Sequence, residues 1–102
     1  MINIGWIKSQ ISNDDYILSQ HANDERIDDK LSLTEVEEAI SNGSILELYE
    51  GDSRGSSCLI VGFTDKGKPI HIVCGKNGKR LIIITVYIPT PPKFKNPFER
   101  SK

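Results

Sequence analysis

No run of apolar residues in this chain approaches the roughly 18 that a membrane span needs, and its N-terminus lacks the basic and apolar regions of a secretory signal. A cytoplasmic location is therefore expected, with no membrane partner. Cysteine is scarce. Cys58 and Cys74 are the only two, too few and too far apart in sequence for a zinc site. A reducing compartment would keep them as thiols, and the plain reading of both is a small buried hydrophobe. Glycine-rich nucleotide loops, metal-ligand clusters and serine nucleophile motifs are also missing. Metal-dependent and acyl-transfer chemistry are not expected, nor is any cofactor.

A length of 102 residues supports one core and not two, so residues 1–102 are read as a single domain. The net charge of -1 conceals a division within it. Residues 1–50 carry eleven acids against three bases, whereas residues 51–102 carry ten bases against three acids. A basic half suggests a polyanionic partner, because counterion release rewards clustered Lys and Arg whatever the sequence they meet. The competing explanation is that acidic helices and basic strands neutralise one another inside the fold.

Ile2, Ile4, Ile7 and Ile11 fall on one face of a helix over about residues 2–12, which Asn13-Asp14-Asp15 breaks. Tyr16-Ile17-Leu18 is extended, and Ser19 caps a second helix carrying His21 and Arg26. Ser32 with Glu35 forms a capping box for a third helix with the stripe Leu33, Val36, Ala39 and Ile40, ended by Asn42-Gly43. Beyond Gly43 the period changes to two, and strands are predicted at 44–50, 57–64, 69–75 and 80–88. The fold class is thus α+β, three short N-terminal helices on a C-terminal antiparallel sheet of about four strands. From about residue 89 the prolines at 89, 91, 92 and 97 predict an extended basic tail.

Asp65-Lys66-Gly67 and Lys76-Asn77-Gly78 both suit three-residue hairpin loops ending in a left-handed glycine. That register sets His71 opposite Val61 and Ile83. It assigns Ile82, Ile84, Val86 and Ile88 to the helix-covered face and Leu81, Ile83, Thr85 and Tyr87 to the other. A two-residue Asn77-Gly78 turn would instead slip the register by one and separate His71 from Tyr87.

His71, the one histidine among the strands, can exchange a proton near neutral pH, or can be a half-buried residue with a satisfied hydrogen bond. His21 can be catalytic or can tie its helix to the sheet. Thr85 and Tyr87 can bind phosphate or stack on a base, and both residue types also favour strands. Arg26 and Arg54 can clamp a phosphate bidentately or stand solvated.

These residues carry a resemblance. Leu18-Ser19-Gln20-His21-Ala22, Arg26, the helix Leu33 to Ile40, Asn42-Gly43, Ile45, Glu47 and Tyr49 come first. Asp52, Ser57-Cys58-Leu59, Gly62, Pro69 to Val73, Thr85 to Pro89, Phe94, Phe98 and Arg100 follow. Together, over roughly residues 16–100, they are similar to a small bacterial family catalogued as domain of unknown function 4258. The resemblance implies a RelE-like domain encoded beside a zinc-finger antitoxin of the MqsA kind. Its setting is therefore that of the RelE and MqsR toxins, which cut messenger RNA.

Residues and resemblance together predict a toxin acting as a metal-independent endoribonuclease, with RNA and a cognate antitoxin as partners. His71 is the expected base or acid, His21 its complement, Tyr87 the residue that orients the phosphate, and Arg26 and Arg54 the phosphate clamps, with Thr85 beside them. Lys93 and Lys95, interleaved with Phe94 and Phe98, extend the RNA track or dock the antitoxin. A non-catalytic protein-binding module or an inactivated toxin kept as a regulator is the alternative.

Overall fold

The computed structural model describes residues 2–52, 55–90 and 94–100, with side chains over 2–50, 55–90 and 96–99. Three helices come first: α1 (Ile4–Ser12), α2 (Gln20–Asp28) and α3 (Leu33–Ser41), with strand β1 (Tyr16–Leu18) between α1 and α2. Strands β2 (Ser44–Asp52), β3 (Gly55–Phe63), β4 (Pro69–Asn77), β5 (Arg80–Tyr87), β6 (Phe94–Asn96) and β7 (Glu99–Arg100) follow.

The helix starts are fixed by side chains that satisfy otherwise orphaned backbone N–H groups. Asn3 accepts from the Trp6 amide at 2.9 Å, and Ser19 accepts from Ala22 at 3.0 Å. Ser32 accepts from Glu35 while Glu35 accepts from Ser32, completing the expected box. The ends of α1 and α2 are paired Schellman bonds. Asp15 N–H reaches Gln10 and Leu31 N–H reaches Arg26, with Asp14 and Lys30 in the left-handed region at φ 54 and 58.

The sheet corrects the sequence expectation. It has five strands, not about four, in the order β1-β5-β4-β3-β2, and it is mixed, because β1 lies parallel to β5 with Tyr16 opposite Leu81 and Leu18 opposite Ile83. Tyr16-Ile17-Leu18 is extended as predicted, but it is a ladder strand rather than a connection. A three-residue strand whose partner lies more than sixty residues away leaves no local signal. β6 and β7 make a separate two-stranded sheet, so residues 94–100 of the expected tail fold as a hairpin.

The β3–β4 register is the predicted one: Gly67 (φ 89) closes the loop and Val61 faces His71. The β4–β5 register is not. The loop has two residues, Gly78-Lys79, with Gly78 at φ 65 in the first central position, and Asn77 pairs with Arg80. Leu81 and Ile83 consequently turn into the helix-covered core, fully buried, and Ile82 and Ile84 turn out of it. A bulge then changes the frame. Cys74 faces Ile83 but Val73 faces Thr85, so Ile84 is an extra residue and Val86 returns to the core. His71 therefore sits opposite Tyr87, not Ile83.

The core joins Ile7 and Ile11 of α1 and Val36, Ala39 and Ile40 of α3 to Ile60, Ile70, Ile72, Leu81, Ile83 and Val86 of the sheet. α3 lies so close that a Cβ on Gly62 would stand 1.8 Å from the Ala39 carbonyl oxygen. α2 buries little beyond Ala22 and is held by polar contacts instead. Glu25 accepts from the Val86 amide at 3.0 Å and Asp29 from the Ile88 amide at 3.3 Å. Two carboxylates one helical turn apart thus cover the β5 edge where β1 has ended.

The basic half of the chain is partly spent inside the fold: Lys68 pairs with Glu35 at 2.9 Å and Arg80 with Asp15 at 3.1 Å. Among the described residues, no helix is long and apolar enough to cross a membrane.

Candidate functional site

The sheet face opposite the helices is organised in rows, because residues paired across antiparallel strands point the same way. One row is Val61, His71 and Tyr87. The next is Glu47, Leu59, Val73 and Thr85, and the third is Tyr49, Ser57, Gly75 and Ile82. The β6–β7 hairpin lies over the first row, where Phe98 packs on Phe63 with ring centroids 5.9 Å apart.

His71 is fully buried at the middle of this arrangement. Its Nε2 is 2.6 Å from the Pro97 carbonyl oxygen and its Nδ1 is 3.2 Å from the Tyr87 hydroxyl. A carbonyl oxygen only accepts, so Nε2 carries a proton. In the neutral ring Nδ1 is then the acceptor, and Tyr87 donates to it. The rings lie 5.2 Å apart and tilted by 60°. The result is a directed chain from tyrosine hydroxyl to imidazole to backbone carbonyl. Its outer member, Tyr87, is only partly buried.

Beside it the third row opens into a groove of about 560 Å³ lined by Ser56, Ser57, Val73, Gly75, Ile82 and Ile84 among others. Thr85 lies between the groove and Tyr87, in the row of Val73.

The other expected residues are elsewhere. His21 is exposed at the start of α2 and contacts Glu25 at 3.3 Å, on an element whose buried residue Ala22 enters the opposite core. The contact the structure gives it is Glu25, not His71. Arg26 donates to Asn23 at 3.0 Å and to the Leu31 carbonyl at 3.2 Å, which makes it a brace of the α2–α3 turn. Its spacing to residue 31 is the signal for that role, since a guanidinium in the last turn can reach the carbonyls beyond a helix end. Arg54 and Lys93 lie outside the described residues, as does the side chain of Lys95.

Cys58 and Cys74 face each other across β3 and β4 with sulfurs 3.9 Å apart, both fully buried. Pairing with Cys58 and burial push the Cys74 thiol up. Tyr16 donates to Glu37 at 2.6 Å, and burial with that carboxylate raises its phenol well above the ordinary value. Among the described residues no three His, Cys, Asp or Glu side chains gather as a metal site.

Sequence reasoning missed the Pro97 carbonyl, the groove and the Ile84 bulge. No side chain announces a backbone acceptor, and a bulge inside β5 leaves no local signal.

A family model described as domain of unknown function (DUF4258) matches residues 18–88, which include every strand from β1's last residue to β5 and both His71 and Tyr87. No curated protein and no solved structure matches the chain, so a likeness to RelE or MqsR has no support from either comparison.

Proposed function

We propose that this chain, which belongs to the family of domains of unknown function (DUF4258), is a metal-independent endoribonuclease of the toxin kind with Tyr87 at its reacting centre. One observation carries the reading: the hydrogen-bonded chain from the Tyr87 hydroxyl through His71 to the Pro97 carbonyl. It has the form of an activated side chain whose base is oriented by a third group.

In this reading the 2'-hydroxyl of RNA attacks the adjacent phosphorus and the 5'-oxygen leaves, giving a 2',3'-cyclic phosphate. Tyr87 takes the 2'-hydroxyl proton as its own proton passes to Nδ1 of His71. The imidazolium, held by Pro97 through Nε2–H, returns a proton along the same path to the leaving oxygen. His71 is then a positioning and relay residue, which accounts for its burial. Proton transfer by a placed side chain contributes roughly 10² to 10⁴-fold. Charge on phosphorus needs cations, a role that falls to Arg54, Lys93 and Lys95.

Induced expression of wild type beside Tyr87→Phe, following growth and the 5' ends of cellular RNA, tests this. New RNA ends that disappear in Tyr87→Phe at equal folded protein support it; cleavage that survives the loss of the hydroxyl removes Tyr87 from the mechanism. Absence of both arrest and cleavage in wild type would end the nuclease reading.

A protein-binding role is favoured by a different feature. The β5 edge is covered by β1 and by the carboxylates of α2, whereas β2 is the terminal strand of its sheet and presents Leu48 and Tyr49 exposed. An edge of this kind accepts an added strand. A cognate antitoxin, the zinc-finger type included, is the partner this reading assigns to it, and it expects tight binding without RNA cleavage if the domain is a regulator.

A further inference from the structure

We infer that Asn96 is a positioning residue for His71: it holds the peptide between Pro97 and Phe98 so that the Pro97 carbonyl keeps the His71 proton on Nε2. Its bearing on catalysis rests on the nuclease reading above. Asn96-Pro97-Phe98-Glu99 is the turn that closes the β6–β7 hairpin, with Asn96 paired to Glu99. Asparagine and proline suit its first two positions, because an asparagine side chain bonds the backbone two residues on and proline presets its own φ. The Asn96 amide is held at both ends. Its Oδ1 accepts from the Phe98 N–H at 2.9 Å, and its Nδ2 donates to Glu99 at 3.2 Å.

The Phe98 N–H and the Pro97 carbonyl belong to one planar trans peptide and point to opposite sides of it. An acceptor that grips the N–H therefore fixes where the carbonyl points, and here it points at His71, whose Nε2 is 2.6 Å away. The turn itself makes no claim on that carbonyl, since the bond that closes a β-turn joins its first and fourth residues. Two further features oppose a flip of the peptide. Asp14 and Lys30 are the non-glycine residues described at positive φ and Phe98 is not one of them, whereas the flipped, type II form of the turn needs a positive φ at that position. The Phe98 ring, in contact with Phe63, seats the hairpin on the sheet. With the proton on Nε2, Nδ1 is open to the Tyr87 hydroxyl at 3.2 Å. A carbonyl turned away would let the proton move to Nδ1, and Tyr87 would then accept instead of donate. His71 and Tyr87 lie within the matched residues 18–88 and Asn96 lies beyond them, so the group that orders the pair comes from outside that span.

The test compares the full-length wild type with Asn96→Ala and with the double variant Asn96→Asp/Glu99→Gln. The double variant keeps an acceptor for the Phe98 N–H and exchanges donor and acceptor in the bond to residue 99. Ring-nitrogen NMR shows which nitrogen of His71 carries the proton, and hydrogen exchange shows how firmly it is held. In wild type the proton should reside on Nε2. In Asn96→Ala it should exchange with solvent at least ten-fold faster and appear in part on Nδ1, and the double variant should return both readouts to the wild-type values. RNA cleavage should lose at least ten-fold in kcat with KM unchanged. A wild-type proton on Nδ1, ring signals and exchange unaltered in Asn96→Ala, no restoration in the double variant, or a rise in KM alone would each overturn the role. If Asn96→Ala detaches the hairpin, visible in the Phe98 ring signals, Asn96→Ser takes its place. Its hydroxyl is a weaker acceptor, so an intermediate exchange rate supports the role and a wild-type rate overturns it. A His71 proton that responds as expected in a protein that cleaves no RNA would leave Asn96 its place and sink only the nuclease reading.

Discussion

Replacing Gly62 by alanine tests how closely α3 is set into the sheet. The new Cβ would lie 1.8 Å from the Ala39 carbonyl oxygen and 2.5 Å from its carbon. Relief to an ordinary contact of about 3.5 Å requires α3 to withdraw by well over an ångström. Val36, Ala39 and Ile40 are each fully buried on that helix, so withdrawal loosens three core residues together. Overpacking of this kind costs about 1–3 kcal/mol, and a rigid backbone neighbour puts the loss at the upper end, about 3 kcal/mol. Alanine's entropic advantage over glycine returns less than about 1 kcal/mol. For a domain of this size a melting temperature lower by roughly 10–15 °C is expected. Urea and thermal unfolding followed by Trp6 fluorescence measure the free-energy loss and the melting temperature. Gly67→Ala is the control: its Cβ meets nothing within 4 Å, and only the φ of 89 opposes it. A Gly62→Ala protein that is as stable as Gly67→Ala would refute the close approach of α3.

Ser32→Ala removes one half of the capping box and should cost about 1 kcal/mol in the same assay. Lys30→Gly relieves a left-handed residue at φ 58 and should stabilise by up to about 1 kcal/mol, a gain that a neutral or destabilising result would contradict. Tyr16 has its phenol raised in the folded state by burial and by Glu37, so the neutral form is favoured by folding. The stability tied to it is whole below the unfolded value near 10 and is lost as pH climbs toward the folded one. Wild type should therefore weaken in alkali more steeply than Tyr16→Phe, and parallel urea curves for the two proteins at high pH would dispose of the idea.

Helix positions were legible because their signals are local. Ser19, Ser32 and Glu35 each act within three residues, and the structure uses each as the spacing implies. The long-range features were less so. Strand β1 depends on a partner at residues 81–83, and the facing of β5 depends on whether the preceding loop holds two residues or three. That single difference exchanged Leu81 and Ile83 with Ile82 and Ile84. His71 and Tyr87 still emerged on one face, because the error before the bulge and the bulge itself cancel beyond Thr85. Arg26 and His21 each have a local partner, the Leu31 carbonyl and Glu25, and composition does not distinguish such a contact from a substrate contact.

The bulge at Ile84 also has a consequence for the length of the chain. The two halves of β5 keep different frames against β4, and residue 84 is the slack between them. A chain one residue shorter at this point could hold Cys74 against Ile83 and His71 against Tyr87 unchanged, while losing one wall of the groove. Strand length can therefore vary here without disturbing the tyrosine and histidine, so the outward surface beside Gly75 can be reshaped while that pair keeps its place.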